Sequence, residues 1–101
     1  GTWMWEERYY IRFDEDGICR MAHALDELDS KPYAIMYYEF EENRMIITEK
    51  AVYGVPACRD KIGRYRVELL SNGNMKIIVG TDDCALRMRE FQKEWLPLQE
   101  D

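Results

Sequence analysis

Residues 63–79 read GRYRVELLSNGNMKIIV, and this stretch decides the fold. Two runs of alternating residues flank Asn72-Gly73, a pattern that is typical of a β-hairpin with a tight turn. If the turn is centred on that dipeptide, residues that face each other across the hairpin have numbers that sum to about 145. The stretch therefore predicts an antiparallel, all-β framework.

Two cysteines bracket this hairpin, Cys58 before it and Cys84 after it. The expected register places Cys84 near position 61, about three residues from Cys58 along the chain. We therefore predict a disulfide between them, which would contribute roughly 3.5 kcal/mol in the chain-entropy model. Cys19 is then a free, buried thiol. A disulfide predicts an extracytoplasmic or secreted protein, and the alternative is a cytoplasmic protein with three reduced cysteines.

The rest of the chain continues as a meander of short strands joined by turns. Up-and-down order favours a closed barrel, because closure removes the exposed strand edges. We expect residues 1–101 to form a single domain, a small antiparallel up-and-down β-barrel with one short C-terminal helix. The predicted strands are 3–13 (interrupted at 6–8), 18–25, 33–40, 44–50, 63–70, 75–79 and a short last one at 95–98; residues 26–32 are a polar connection that can hold a helical turn, and the helix is 83–93 after an N-cap at Thr81-Asp82.

Composition and charge argue against several classes of function. The net charge of −6 disfavours nucleic acid and anionic membranes as partners, because both require a basic face. No apolar run approaches the ~18 residues of a membrane span, so we predict no membrane insertion. His23 is the only histidine, which excludes a multi-histidine metal site. No phosphate loop or nucleophile–base pair is present, and we predict no cofactor. So short a chain would gain stability from a homodimer interface.

Alternation along the strands separates an interior set of side chains from an exterior set. A barrel of six to eight strands is near the size at which side chains either fill it or leave room for one small ligand, and both outcomes stay open. Arg12 or Arg20 inside such a barrel would pair with a ligand carboxylate. Leu69 shares the inner face with its neighbours on the same strand. The predicted ligand-binding residues are Tyr9, Ile11, Arg12, Arg20, Met36, Tyr38, Phe40, Tyr65, Val67 and Ile77.

Several short motifs, taken in order, resemble a known family. Gly1-Thr2-Trp3 matches the Gly-x-Trp that opens strand one of lipocalins. The remaining motifs are Cys58, Gly63-x-Tyr65-x-Val67, Asp83-Cys84-x-x-Arg87 and Trp95. Together they resemble the small bacterial lipocalin-like proteins of the calycin superfamily over nearly the whole chain. The resemblance implies that Trp3 plugs the closed end of the barrel with Arg87, or failing that Arg89, stacked on it as a structural contact. This chain is shorter than a standard lipocalin, with six or seven visible strands where eight are expected.

Three functions are consistent with these residues. The first is a non-enzymatic carrier or sensor that binds a small hydrophobic molecule in the barrel interior. The second is a cofactor-free cyclase or isomerase, with Tyr10, Glu68 and Arg12 as candidate hydrogen-bonding groups. The third is a protein-binding barrel, such as a secreted inhibitor, with Trp5 and Tyr53 as exposed anchors.

Overall fold

The structure is a computed structural model that describes residues 1–52 and 61–98. Within these residues the chain forms eight strands and two short helices, in the order that the sequence predicts. The first helix occupies the polar connection between the third and fourth strands. The elements are β1 Thr2–Trp5, β2 Tyr9–Phe13, β3 Ile18–Ala22, α1 Glu27–Ser30, β4 Ala34–Glu41, β5 Arg44–Val52, β6 Gly63–Leu69, β7 Met75–Thr81, α2 Ala85–Phe91 and β8 Glu94–Pro97.

The eight strands form a closed antiparallel barrel in sequential order. Each strand pairs with the next, and β8 pairs back onto β1 through Trp3 opposite Pro97. The predicted all-β up-and-down barrel is confirmed. The first predicted strand forms two strands, β1 and β2, which brings the number of strands to eight. No helix among the described residues is long and apolar enough to cross a membrane.

The hairpin of β6 and β7 differs from the predicted register by one residue. Val67 faces Ile77, so the numbers of facing residues sum to 144. The reason is the turn, in which the Leu70 amide donates to the Asn74 carbonyl at 2.8 Å and three residues lie between them. Gly73 takes φ +89°, a backbone conformation that glycine adopts without strain. Because the turn contains three residues, Val67 and Ile77 lie directly opposite each other on the same face of the sheet. This face points to the barrel interior.

Inward-facing side chains from all eight strands form one hydrophobic core. Four of the predicted ligand-binding residues lie in it with at most 2% of their surface exposed: Ile11, Met36, Tyr65 and Ile77. Phe91 of α2 is also fully buried and packs against Tyr65, with ring centroids 5.5 Å apart. The middle of the barrel is thus occupied by its own side chains, and these four residues act as core rather than as a ligand-binding surface.

The two ends of the barrel have different characters. Strand β6 starts at Gly63, which lies against Asp82 and Arg87, and ends at Leu69, which lies in a cleft with Trp3. We call the first end, near α2, the helix end and the second end the mouth. Leu69 was expected to face inward, but it is 73% exposed, because it extends past the last core layer at the mouth.

Candidate functional site

The mouth contains an apolar cleft of about 470 Å³. It is formed where strands β1, β2, β4, β6 and β7 pass beyond the packed core, so inward-facing apolar residues there have no layer above them. Phe40 and Val67 are among the predicted ligand-binding residues, whereas the other apolar residues of this cleft are not. The sequence feature that could have identified these apolar residues is their position, since each one faces inward at or next to the mouth end of its strand. The side chains that line the cleft are Trp3, Phe13, Phe40, Glu42, Asn43, Val67, Leu69 and Met75.

An aromatic wall of three rings borders the cleft: Phe13 and Phe40 line it, and Tyr38 packs against both without lining it. Phe13 lies 5.1 Å from Tyr38 and 5.7 Å from Phe40, and Tyr38 lies 5.4 Å from Phe40, all between ring centroids. These spacings fall in the range of favourable tilted and edge-to-face aromatic pairs. Phe40 is nevertheless 47% exposed. An aromatic wall with one large ring open to solvent is a ready surface for an apolar ligand.

A hydrogen bond fixes this wall to the neighbouring turn. The Tyr38 hydroxyl donates to the backbone carbonyl of Asp14 in the turn between β2 and β3. Burial raises the pKa of Tyr38 above its usual value, so the hydroxyl keeps its proton at neutral pH and remains a donor. The ring orientation of Tyr38 is therefore set before any ligand arrives.

Arg12 and Arg20 lie on the outside of the barrel, contrary to the predicted interior role. The Asp14 carboxylate accepts from Arg12 Nε at 2.9 Å and from Arg20. Arg12 Nη2 also donates to Asp29 of α1 at 2.6 Å, and this bond raises the pKa of the guanidinium further. Both residues alternate with the inward-facing Ile11 and Cys19 along their strands, so their guanidinium groups face away from the core. They brace the β2–β3 turn and α1 and are not anchors for a ligand carboxylate.

The helix end holds a buried ion pair between Asp82 and Arg87. Their side chains are 0% and 2% exposed, and Arg87 Nε and Nη2 donate to the carboxylate at 2.7 and 2.8 Å. Tyr65 donates to the same carboxylate, as does the Cys84 amide at 2.9 Å. Burial would raise the pKa of Asp82, but the hydrogen bonds from Arg87 and Tyr65 hold it below its usual value. The predicted N-cap at Thr81-Asp82 is wrong: Cys84 is extended (φ −95°, ψ 97°) and is the N-cap, so the helix begins at Ala85.

The predicted contact between Trp3 and Arg87 is not made. Trp3 lines the cleft at the mouth, whereas Arg87 lies at the helix end with Asp82 and donates from Nη2 to the Lys61 carbonyl at 2.8 Å. The two side chains therefore occupy opposite ends of the barrel. The ion pair and α2 occupy the helix end, and the tryptophan of the Gly-x-Trp motif is part of the mouth.

Tyr9 and Trp5, on either side of the turn between β1 and β2, pack around a lysine. Their ring centroids are 5.5 Å apart, and Lys93 Nζ lies 4.5 Å from the Trp5 ring and 4.7 Å from the Tyr9 ring. Burial lowers the pKa of Lys93. Tyr9 also lies 5.3 Å from His23, whose ring stacks on Tyr33. These contacts already occupy Tyr9 and Trp5, the first predicted to bind a ligand and the second to anchor a protein partner. Tyr53 lies outside the described residues.

The structure describes two of the three cysteines, Cys19 and Cys84. Cys19 is a fully buried free thiol, as predicted, and burial raises its pKa. Lys61 Nζ donates to the Asp83 carbonyl at 3.3 Å, so position 61 does lie beside the start of α2, as the hairpin register requires. Cys58 lies outside the described residues, and its pairing with Cys84 stays a prediction.

The residues suggested for an enzyme do not converge. Glu68 lies on β6 and pairs with Arg66 at 3.2 Å, with both side chains about half exposed. Tyr10 lies on β2 opposite Ala22 and alternates with the inward-facing Ile11. Over residues 1–52 and 61–98, no three or more metal-ligating side chains come together.

A scan of protein-family models, of curated proteins and of solved structures finds no match for this chain.

Proposed function

We propose that this protein is a non-enzymatic binder of a small hydrophobic molecule, which it holds in the cleft at the mouth of the barrel. The observation that supports this proposal is the exposure of large apolar side chains inside a concave surface. Phe40 and Leu69 are 47% and 73% exposed, although both line the cleft. Water contact with such surface costs about 25 cal/mol per Å², and a ligand that covers it recovers that free energy.

The size and lining of the cleft favour a compact apolar ligand. A volume of about 470 Å³ lies within the range typical of small-molecule sites, ~300–1,000 Å³. The Tyr38 hydroxyl is already used by the Asp14 carbonyl, so the aromatic wall offers mainly ring faces and edges. The ligand would rest on the packed core and would not enter it, because Met36 and Ile77 fill the space below.

We also propose that the chain is a small lipocalin-like barrel of the calycin superfamily, of bacterial and secreted type. The closed up-and-down order of eight strands supports this proposal. Such a fold hosts many ligands, so the choice of an apolar ligand comes from the cleft and not from the fold.

The test is a displacement titration with a fluorescent hydrophobic dye and a panel of aromatic and aliphatic alcohols. We expect saturable micromolar binding, weakened about tenfold by Phe40→Ala, because losing part of a buried ring costs at least ~1.4 kcal/mol. Leu69→Ser should also weaken binding. Leu25→Ser is the matched control, since Leu25 is 45% exposed but lies outside the cleft. Equal loss of affinity in the Leu25 and Phe40 variants would exclude the mouth as the binding site.

A further inference from the structure

Three arginines share one patch on the outer face of strands β5 and β6. Arg44 of β5 is directly opposite Arg66 of β6, and Arg64 lies two residues before Arg66 on the same face. All three residues are exposed. We call these three residues the arginine patch. Directly opposed side chains on paired strands have Cβ atoms about 4.5–5.5 Å apart, so the three guanidinium groups can reach a common point.

This arrangement is unfavourable for the barrel alone. Like charges directly opposite each other destabilise a sheet. Three other arginines of the chain pair with carboxylates: Arg12 and Arg20 with Asp14, and Arg87 with Asp82. In the patch Arg66 pairs with Glu68, and Glu41 of β4 is directly opposite Arg44. Among the described residues no carboxylate lies within ion-pair distance of the Arg44 or Arg64 guanidinium. Arg44 and Arg64 thus make no ion pair with a described residue, in a protein whose net charge is −6.

A cleft lies within the patch. Its volume is about 460 Å³, and its lining includes the three arginines together with Ile46 and Gly80. Gly80 is the extra residue of a bulge, because Arg64 pairs with Thr81 while Tyr65 pairs with Val79. A Cβ atom at Gly80 would lie 3.0 Å from the Arg64 carbonyl oxygen, so a side chain would crowd the strand beside the cleft. The glycine in the bulge therefore leaves this side of the cleft without a side chain.

We propose that the arginine patch binds a phosphate monoester, with the phosphoryl oxygens accepting from Arg44 and Arg64 and from whichever Arg66 donors Glu68 leaves available. A guanidinium group presents two parallel donors that match a phosphoryl group, and a tetrahedral dianion has enough oxygens for more than one arginine. Glu41, directly opposite Arg44 on β4, lines the same cleft and disfavours a second negative group on that side. The overall negative charge opposes a long polyanion such as nucleic acid, whereas a small anion responds to the local field within about 10 Å.

The test is an NMR titration of the uniformly ¹⁵N-labelled protein with glycerol phosphate at constant ionic strength. We expect saturable shifts confined to the amides of β5, β6 and the bulge at Gly80, with inorganic phosphate acting at the same place. Arg44→Gln and Arg64→Gln should each weaken binding about tenfold, since each removes a charge-assisted hydrogen bond. Arg8→Gln, in the exposed turn between β1 and β2, is the charge-matched control and should leave the affinity unchanged.

The same spectra show that each variant is folded, and other outcomes overturn the proposal. Sodium chloride that produces the same shifts as glycerol phosphate would indicate general screening. Equal weakening by Arg8→Gln would indicate the net charge and not the patch. Binding to vesicles that contain phosphatidic acid, without binding to glycerol phosphate, would indicate a membrane surface in place of a soluble ligand.

Discussion

Asp82→Asn removes the charge of the buried ion pair while preserving the shape of the side chain. In the native barrel the Asp82 carboxylate is fully buried and accepts from Arg87, Tyr65 and the Cys84 amide. The substitution leaves the Arg87 guanidinium, itself 2% exposed, without its counter-charge. Removing one partner of a buried pair costs about 3–5 kcal/mol, because the remaining charge stays desolvated. We expect the lower end, about 3 kcal/mol, since the amide oxygen can still accept a hydrogen bond.

The assay is urea unfolding followed by tryptophan fluorescence, in which Trp95 reports from the core. The matched control is Glu68→Gln, which makes the same chemical change in the exposed pair with Arg66. Because exposed ion pairs contribute little, this control should lower the free energy of unfolding by less than about 1 kcal/mol.

The pH dependence separates the ion pair from simple packing. The pKa of Asp82 is lower in the folded state than its unfolded value of about 3.9. The carboxylate therefore stabilises the native state above that unfolded value, and this stabilisation is lost as the pH falls through the folded value. The difference between wild type and Asp82→Asn should be full at pH 7 and should narrow below about pH 4. A difference under 1 kcal/mol at pH 7, or one that is constant down to pH 3, would refute the assignment.

Two further predictions concern the helix end and the cysteines. Gly63→Ala should lower the free energy of unfolding by about 1–3 kcal/mol, since its Cβ would lie 2.6 Å from Asp82 Oδ2 and 2.8 Å from Tyr65 Cε2. Gly73→Ala, in open space but at φ +89°, should lower it by about 1 kcal/mol in the same urea unfolding experiment, and a larger loss for Gly73→Ala than for Gly63→Ala would contradict this explanation. An aromatic disulfide reagent should find no reactive thiol in the native protein and one after denaturation without reductant. Cys19 is buried, and the predicted disulfide between Cys58 and Cys84 would leave no other thiol; three thiols under those conditions would disprove the disulfide.

Much of the fold follows from local patterns in the sequence. Strand alternation and tight turns predicted the meander, and Asn72-Gly73 located the turn of the last long hairpin. The register was off by one because turn length depends on backbone conformation: Gly73 at φ +89° closes a three-residue turn, which residue types alone do not specify.

The site was harder to predict because depth along the barrel has no local signal. Met36 and Phe40 have the same inward orientation on β4, yet one is core and the other lines the mouth. Arg12 and Arg20 were misplaced because a strand arginine faces either way until its partner is known, and the partners, Asp14 and Asp29, come from a turn and a helix. Arg87 was assigned to Trp3 by resemblance, whereas the buried Asp82 five residues earlier is its partner.

The most direct test of the proposed site uses methionine methyl groups as internal probes. All three of Met36, Met45 and Met75 belong to the packed core, but only Met75 also lines the cleft at the mouth. In a ¹³C-methyl methionine spectrum, titration with a hydrophobic ligand should shift the Met75 signal saturably and leave those of Met36 and Met45 in place. Shifts at Met36 or Met45 would show that the ligand enters the barrel interior, and no shift at Met75 across the ligand panel would show that the mouth binds none of these molecules.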